Sequence, residues 1–363
     1  MDKKILNKLD FYILKKFLGT FFLAIALIIS IAIIFDFSEK IDEFIDNSAP
    51  LKAIFFDYYL NFIPYFVNLF SALFTFIAVI YFTSKMAYNS EIIAILASGI
   101  TYRRMMRPYM AGAAIIGGIS LLLGHIIIPS ANKARIEFQN TYINKKRVNT
   151  EYNIHRQLEP GLYMYMSRYN SKTDVGYKFS LERFHGDTLV SKLISDYIKW
   201  DRKRETWVIN NYYIRDIIGE DEKITQGTKL DTTLNLRPSE FSQQKNIIET
   251  MTSKKLNAYI KDQRLRGVDN IEILLIEKHR RTSGPFSTFI LTLIGVAMAS
   301  RKVRGGIGLH LGLGLLISFS YIMFMQVSQV FALSGNVNPL IAVWIPNLLF
   351  AIIAIFLYRW AAR

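Results

Sequence analysis

The chain has no cysteine. That absence excludes disulfides, thiolate metal sites and thiol nucleophiles, and it is compatible with an oxidising compartment. Histidine is scarce too. The five (His125, His155, His185, His279 and His310) are scattered, with no HExxH pattern and no two at metal-ligand spacing. No GxxxxGK(S/T) run occurs, and the Gly-rich stretch Gly305-Gly306-Ile307-Gly308 is not followed by Lys-Ser/Thr, so no nucleotide-binding loop is expected. Catalytic residues, a metal site and a bound cofactor are therefore not expected in this chain. The first apolar run also lacks a small-residue cleavage site and reads as a span that stays.

What the chain has in abundance is apolar length. Of 363 residues, 51% are hydrophobic, and they crowd the two ends around a polar middle. Six runs read as membrane spans: about 13–35, 56–82, 106–128, 285–300, 306–332 and 340–358. The fourth is short, and Pro285 suits its first helical turn. Basic residues mark alternate connections. Lys3, Lys4, Lys8, Lys15 and Lys16 precede the first span, and Lys85, Arg103, Arg104 and Arg107 lie around the second connection. Arg301, Lys302 and Arg304 follow the fourth span, and Arg359 and Arg363 the sixth. The segment 36–54 is acidic and 332–339 carries no charge. The positive-inside rule puts both termini and the 84–106 loop in the cytoplasm.

The segment from about 130 to 282 is then extracytoplasmic. Its 28 Lys and Arg against 20 Asp and Glu do not overturn this, because long domains translocate largely regardless of charge. Leu162–Met166, Tyr177–Leu181, and Thr206–Ile209 followed by Tyr212–Ile214 are short, aromatic and β-branched, and are separated by Gly, Asn and Asp. The expected fold is an α-helical membrane protein with six transmembrane helices and an inserted all-β, jelly-roll-like domain. The expected divisions are 1–129 for the first three helices, 130–252 for the β domain, 253–282 for a connecting helix and 283–363 for the last three helices.

Between the second and third spans lies Ser90-Glu91-Ile92-Ile93-Ala94-Ile95-Leu96-Ala97-Ser98-Gly99. Ser90 is the expected N-cap, Glu91 complements the helix dipole, and Gly99 falls where a left-handed C-terminal cap is needed. Its stripe of Ile92, Ile93, Ile95 and Leu96 fits either a protein partner or the inner leaflet. The acidic start and the few Lys or Arg favour the partner. Other small or polar residues in the spans have packing roles. Gly308, Gly312, Gly314 and Ser318, and the pairs Ala113/Gly117 and Ala114/Gly118, suit close helix approach. Asn61 and Asn68 share a face and suit interhelical hydrogen bonds. Asp36 and Glu39 are expected to be solvated or paired with Lys40.

Five motifs, in order across nearly the whole chain, resemble one family. They are Leu9-Asp10-Phe11-Tyr12-Ile13-Leu14-Lys15-Lys16-Phe17; Ser90-Glu91 through Ser98-Gly99-Ile100-Thr101-Tyr102-Arg103-Arg104; Ile194-Ser195-Asp196-Tyr197 with Trp200-Asp201 and Trp207-Val208-Ile209; Glu277-Lys278-His279-Arg280-Arg281 with Pro285, running into Gly305-Gly306; and Trp344-Ile345-Pro346-Asn347. The family is the permease of the lipopolysaccharide exporter (YjgP/YjgQ, or LptF/LptG, proteins). The resemblance implies a helix that docks on an ATPase subunit, carried here by Glu91, Ile92, Ile95, Leu96, Ser98, Gly99, Arg103 and Arg104. It implies a substrate cavity whose gates involve the first and fifth spans, with Phe35, Phe37, Lys40, Phe324, Gln326 and Phe331 as the candidates. Some relatives have a basic residue inside the outer end of the first span, where this chain has Asp36. The implied partners are a cytoplasmic ATPase dimer that uses ATP and Mg, a paralogous six-span permease, periplasmic β-jelly-roll bridge proteins and lipopolysaccharide in the bacterial inner membrane. No nucleic-acid partner is expected. The rivals are a permease for another envelope lipid or for lipoprotein, and a membrane enzyme that modifies a glycolipid. The first usually has four spans, and the second needs an Asp/Glu/His cluster that the sequence does not offer.

Overall fold

The computed structural model describes residues 8–143, 150–219, 221–238, 241, 248–265, 271–301 and 306–362. Lys3, Lys4, Lys302, Arg304, Gly305 and Arg363, used above for orientation and motif, lie outside them. The chain forms two compact units, one built from residues up to 143 and from 272 onward, the other from the residues between.

Six long apolar helices make the first unit: α1 Lys8–Asp46, α2 Leu51–Tyr88, α4 Tyr102–Ile143, α6 Ile271–Ala299, α7 Gly306–Leu333 and α8 Pro339–Ala361. A short helix, α3 Glu91–Ala97, links α2 to α4. The first three long helices have 39, 38 and 42 residues. At 1.5 Å per residue each is close to 60 Å long, about twice a hydrocarbon core, so each extends well beyond it. α1 buries Ile13, Phe17, Phe21, Ile25 and Ile29, a row at i, i+4 spacing. That row meets Val79, Phe82 and Met86 of α2 and Met105, Tyr109 and Ile116 of α4 in one core. Gly112 makes the approach possible, because a Cβ there would run into the Phe17 ring. α7 packs on α2 and α8, so α2 stands between α1 and α7.

Several expectations change in the bundle. The fourth helix does not begin at Pro285 but runs through it from Ile271. Side chains bond to the backbone just before it: Ser287 Oγ donates to Gly284 O at 2.5 Å, and Asn347 Nδ2 of α8 donates to Ser283 O at 2.9 Å. In α7 the close contact falls on Gly314, against Ile80, while Gly308 and Gly312 face open space. Asn68 does bond between helices, accepting from Ser120 Oγ of α4. Asn61 instead donates to Phe56 O and Asp57 O of its own helix, beside the wider π-helical stretch Ile54–Tyr59.

The second unit carries six strands: β1 Thr150–Glu159, β2 Leu162–Asn170, β3 Val175–His185, β4 Thr188–Asp201, β5 Thr206–Ile218 and β6 Asp221–Thr232, with a helix, α5, at Ser253–Leu265. The domain is antiparallel, and its strands lie in chain order in one sheet. Every connection among the described strands joins neighbours, so the sheet is a meander. The Greek-key crossing of a strict jelly roll does not occur among them. Trp207 is fully buried with Tyr169, Phe179 and Phe241, and its Nε1–H donates to Leu236 O at 2.8 Å.

A row of residues crosses the sheet out of step with the pleat. Between Tyr197 and Ser195 the ladder skips Asp196 opposite Lys178 and Asn211, and the same gap continues through Asn153, Ser167 and Thr228. Lys178 and Asn211 both have φ +50°, a conformation that turns the chain by one side-chain step. The apolar set therefore shifts from Trp207 and Ile209 to Tyr212 and Ile214 without leaving the core face. The two separate runs in the sequence are one strand, β5. At the row, Asn211 Nδ2 donates to Asp196 Oδ2 at 2.9 Å, and Ser167 Oγ donates to Tyr177 O at 3.3 Å.

Candidate functional site

The α2–α4 connection is built from backbone turns. Ser90 N–H donates to Ala87 O at 3.1 Å, and Ser90 takes φ +62°. That left-handed conformation makes it a turn residue. Its hydroxyl does not cap α3, contrary to the sequence expectation, and the favourable charge at the helix start comes from Glu91 alone. The other end follows the sequence. Gly99 has φ +86° and its N–H donates to Leu96 O at 3.1 Å, while Ser98 Oγ donates to Ile95 O at 2.7 Å. Thr101 then opens α4, its Oγ1 accepting from Arg104 N at 3.3 Å.

The apolar stripe of α3 divides. Ile92 is 1% exposed and lies in the same core as Ile13, Met105 and Met106, with Ile95 partly buried against it. Ile93 and Leu96 are exposed, at 57% and 39%. Glu91 is half-buried and held by two donors: Tyr12 OH of α1 to Oε2 at 3.1 Å, and Asn89 Nδ2 to Oε1 at 3.3 Å. Arg103 is exposed. Arg104 turns inward, its Nη1 and Nη2 reaching the two carboxylate oxygens of Asp10 at 2.6 and 2.5 Å. Glu91 stood out in the sequence by its place at the helix start, and Arg104 through the family resemblance of its motif. Nothing in the sequence singled out Tyr12 or Asp10 as their partners, since those contacts span 79 and 94 positions.

At the other end of α1, Asp36 pairs with Lys40 one turn on. Lys40 Nζ also donates to Tyr58 OH at 2.5 Å, and Tyr58 and Tyr59 donate to Asp36 at 3.2 Å each. Phe37 joins Phe44 and Tyr59 in an aromatic cluster, whereas Phe35 is 72% exposed. Phe324, Gln326 and Phe331 lie on the exposed surface of α7. The α1 and α7 candidates are thus on separate surfaces within this chain, with α2 between their helices.

Among the described residues no three His, Asp or Glu side chains come together to hold a metal ion. His310 is buried and its Nδ1 lies 2.8 Å from Ser84 Oγ, a packed polar contact between α7 and α2.

Six apolar helices, an inserted antiparallel β domain and a short helix exposed between the second and third spans define a multi-span membrane protein with one inserted sheet domain. No curated protein matches the chain. The family described as lipopolysaccharide export system permease LptF/LptG matches residues 11–360, and the chain belongs to that family. A general role as a transporter permease comes with that membership.

Proposed function

We propose that this chain is one of two homologous permease subunits of an ATP-driven machine that extracts lipopolysaccharide from the outer leaflet of the bacterial inner membrane. The two permeases enclose a cavity that the lipid enters from the side. A separate cytoplasmic ATPase dimer binds ATP and Mg and closes, and α3 transmits that closure to the spans. The cavity narrows and expels the lipid toward the β domain, which passes it to periplasmic bridge proteins of like fold. β1 and β6 are the outer strands of the described sheet, and a sheet edge suits such stacking.

The observation that carries this proposal is α3 itself. It is anchored from within by Ile92 and presents Ile93, Leu96 and one side of Glu91 outward. An amphipathic helix fixed on one side and exposed on the other suits a groove on a partner. The basic residues that flank it support a cytoplasmic position. Phe35, Phe37 and Lys40 on α1, with Phe324, Gln326 and Phe331 on α7, are the proposed lipid-facing set.

Purification of the tagged chain in mild detergent, beside a Glu91→Lys version, tests the proposal. An ATPase and a second six-span permease are expected with the wild-type chain, and less ATPase with the variant. A chain that purifies alone in both forms would sink it.

A further inference from the structure

α1 is tied at both ends, and its two ties have different partners. Near its start, Asp10 is 2% exposed and grips Arg104 of α4 through both carboxylate oxygens. Two residues on, Tyr12 donates to Glu91 of α3. The start of α1 therefore holds both sides of the loop that carries the exposed helix. Near its end, the Asp36–Lys40 pair is bonded to Tyr58 and Tyr59 of α2. Between the ties α1 is a continuous helix without proline. No proline or π-helical turn interrupts it; its softer points are Gly19 and the hydroxyls of Thr20 and Ser30, which bond back to Lys16 O and Ala26 O, and the unbroken backbone ladder carries displacement along its length.

From this we infer that Asp10 is a positioning residue. Its ion pair with Arg104 makes α1 a rod that carries displacement of α3 to the far side of the membrane. The inference rests on the coupling role of α3 proposed above and adds a route for the motion. Through α2 and α4 the motion follows the backbone. Through Asp10–Arg104 it crosses directly to the helix that bears Phe35 and Lys40. A planar guanidinium on two carboxylate oxygens fixes orientation as well as distance, which a single hydrogen bond does not.

The test uses the assembled complex in lipid, with cysteine-free partners; this chain has no cysteine of its own. Spin labels are placed at position 93 on α3 or position 35 on α1, each paired with a reference label at position 348 on α8; all three sites are exposed. Distances are measured with and without a non-hydrolysable ATP analogue, and lipid delivered per ATP is measured in proteoliposomes on the unlabelled chains, since positions 93 and 35 lie on the proposed partner-facing and lipid-facing surfaces. In the wild type both labels are expected to shift. Asp10→Asn is expected to keep the shift at 93, lose at least half of it at 35, and lower lipid delivered per ATP fivefold or more. The charge exchange Asp10→Arg with Arg104→Asp is expected to restore both readouts to within twofold.

An undiminished shift at 35 in Asp10→Asn overturns the inference and leaves the coupling role standing. So does an exchange variant that assembles but restores nothing, or an Asp10→Asn chain that no longer assembles with its partners, which marks a purely structural role. Absence of any shift at 93 in the wild type removes the coupling role itself, and with it the motion that α1 was to carry.

Discussion

Asp10 and Arg104, 94 positions apart, meet as a two-pronged ion pair in which the carboxylate is almost wholly buried and the guanidinium about a quarter exposed. Geometry, not charge alone, makes this pair. Arg104→Lys keeps the charge but supplies a single ammonium where two parallel donors stood. Thermal unfolding in detergent is expected to show a loss of about 1–2 kcal/mol for Arg104→Lys. Arg104→Ala removes the opposite charge from the buried Asp10 carboxylate, and a larger loss, roughly 3 kcal/mol, is expected. Equal stability of the two variants would show that the bidentate geometry contributes nothing.

Asp36 keeps Lys40 engaged within the chain. With Asp36→Asn, Tyr58 still accepts from Lys40, but the charge that balances the ammonium is gone. A loss of about 1–2 kcal/mol is expected, the scale of one charge-assisted hydrogen bond. The ammonium becomes available to an anionic head group, so lipopolysaccharide added to the detergent is expected to raise the unfolding midpoint more in Asp36→Asn than in the wild type. A smaller midpoint shift in the variant would show that Lys40 does not meet the head group.

Two glycines of α4, six positions apart, are expected to respond with opposite signs. At Gly112 a new side chain meets the buried Phe17 ring, and Gly112→Val is expected to cost about 1–3 kcal/mol. At Gly118 nothing lies within 4 Å, and Gly118→Ala is expected to match or exceed the wild type by about 0.5–1 kcal/mol through helix propensity. Thermal unfolding of both variants checks the pair.

In the β domain, Arg215 of β5 donates through Nε to Glu222 of β6 at 2.9 Å, and this holds the Glu222 carboxyl below its ordinary value of 4.5. A carboxylate depressed in the folded state contributes stability that is complete above its unfolded pKa and is lost as pH falls through the folded one. Both side chains are exposed, so the effect is local and small. Hydrogen-exchange protection of the β5–β6 hairpin, corrected for intrinsic rates, is expected to be flat from pH 7 to 5 and to fall below about 4.5. Glu222→Gln is expected to remove that fall.

The parts of the structure that depend on local chemistry were legible in the sequence. Six apolar runs gave six long helices, and Gly99 ends α3 in the left-handed conformation that its position required. Alternating aromatic and β-branched residues gave β2, β3 and β5, though the sequence alone did not delimit β1 or β6. What escaped depends on distant partners. Pro285 looked like a helix start because its residue type suits one, while the helix that runs through it packs against α8, whose Asn347 donates to Ser283 O from 64 positions away. Ser90 looked like a cap because its residue type suits one, while the turn from α2 into α3 sets its φ. At the candidate site, periodicity grouped Ile92 with Ile93 on one stripe, and only the packing of α1 and α4 around α3 separates the buried residue from the exposed one.

The row through Asn153, Ser167, Lys178, Asp196, Asn211 and Thr228 constrains how this sheet can change. The core-facing set steps by one position at this level in β2 (Met166 to Tyr169), β4 (Ser195 to Ile198) and β5 (Ile209 to Tyr212), so the ladders on either side stay aligned because these strands take the step together. Deleting Asn211 alone would keep β5 paired on one side of the row and turn either Trp207 and Ile209 or Tyr212 and Ile214 outward on the other. Length changes at this level are therefore available only to the sheet as a whole. The domain can grow or shrink at its hairpin ends, where Gly186 and Gly219 turn the chain, while its midline keeps a fixed count in every strand.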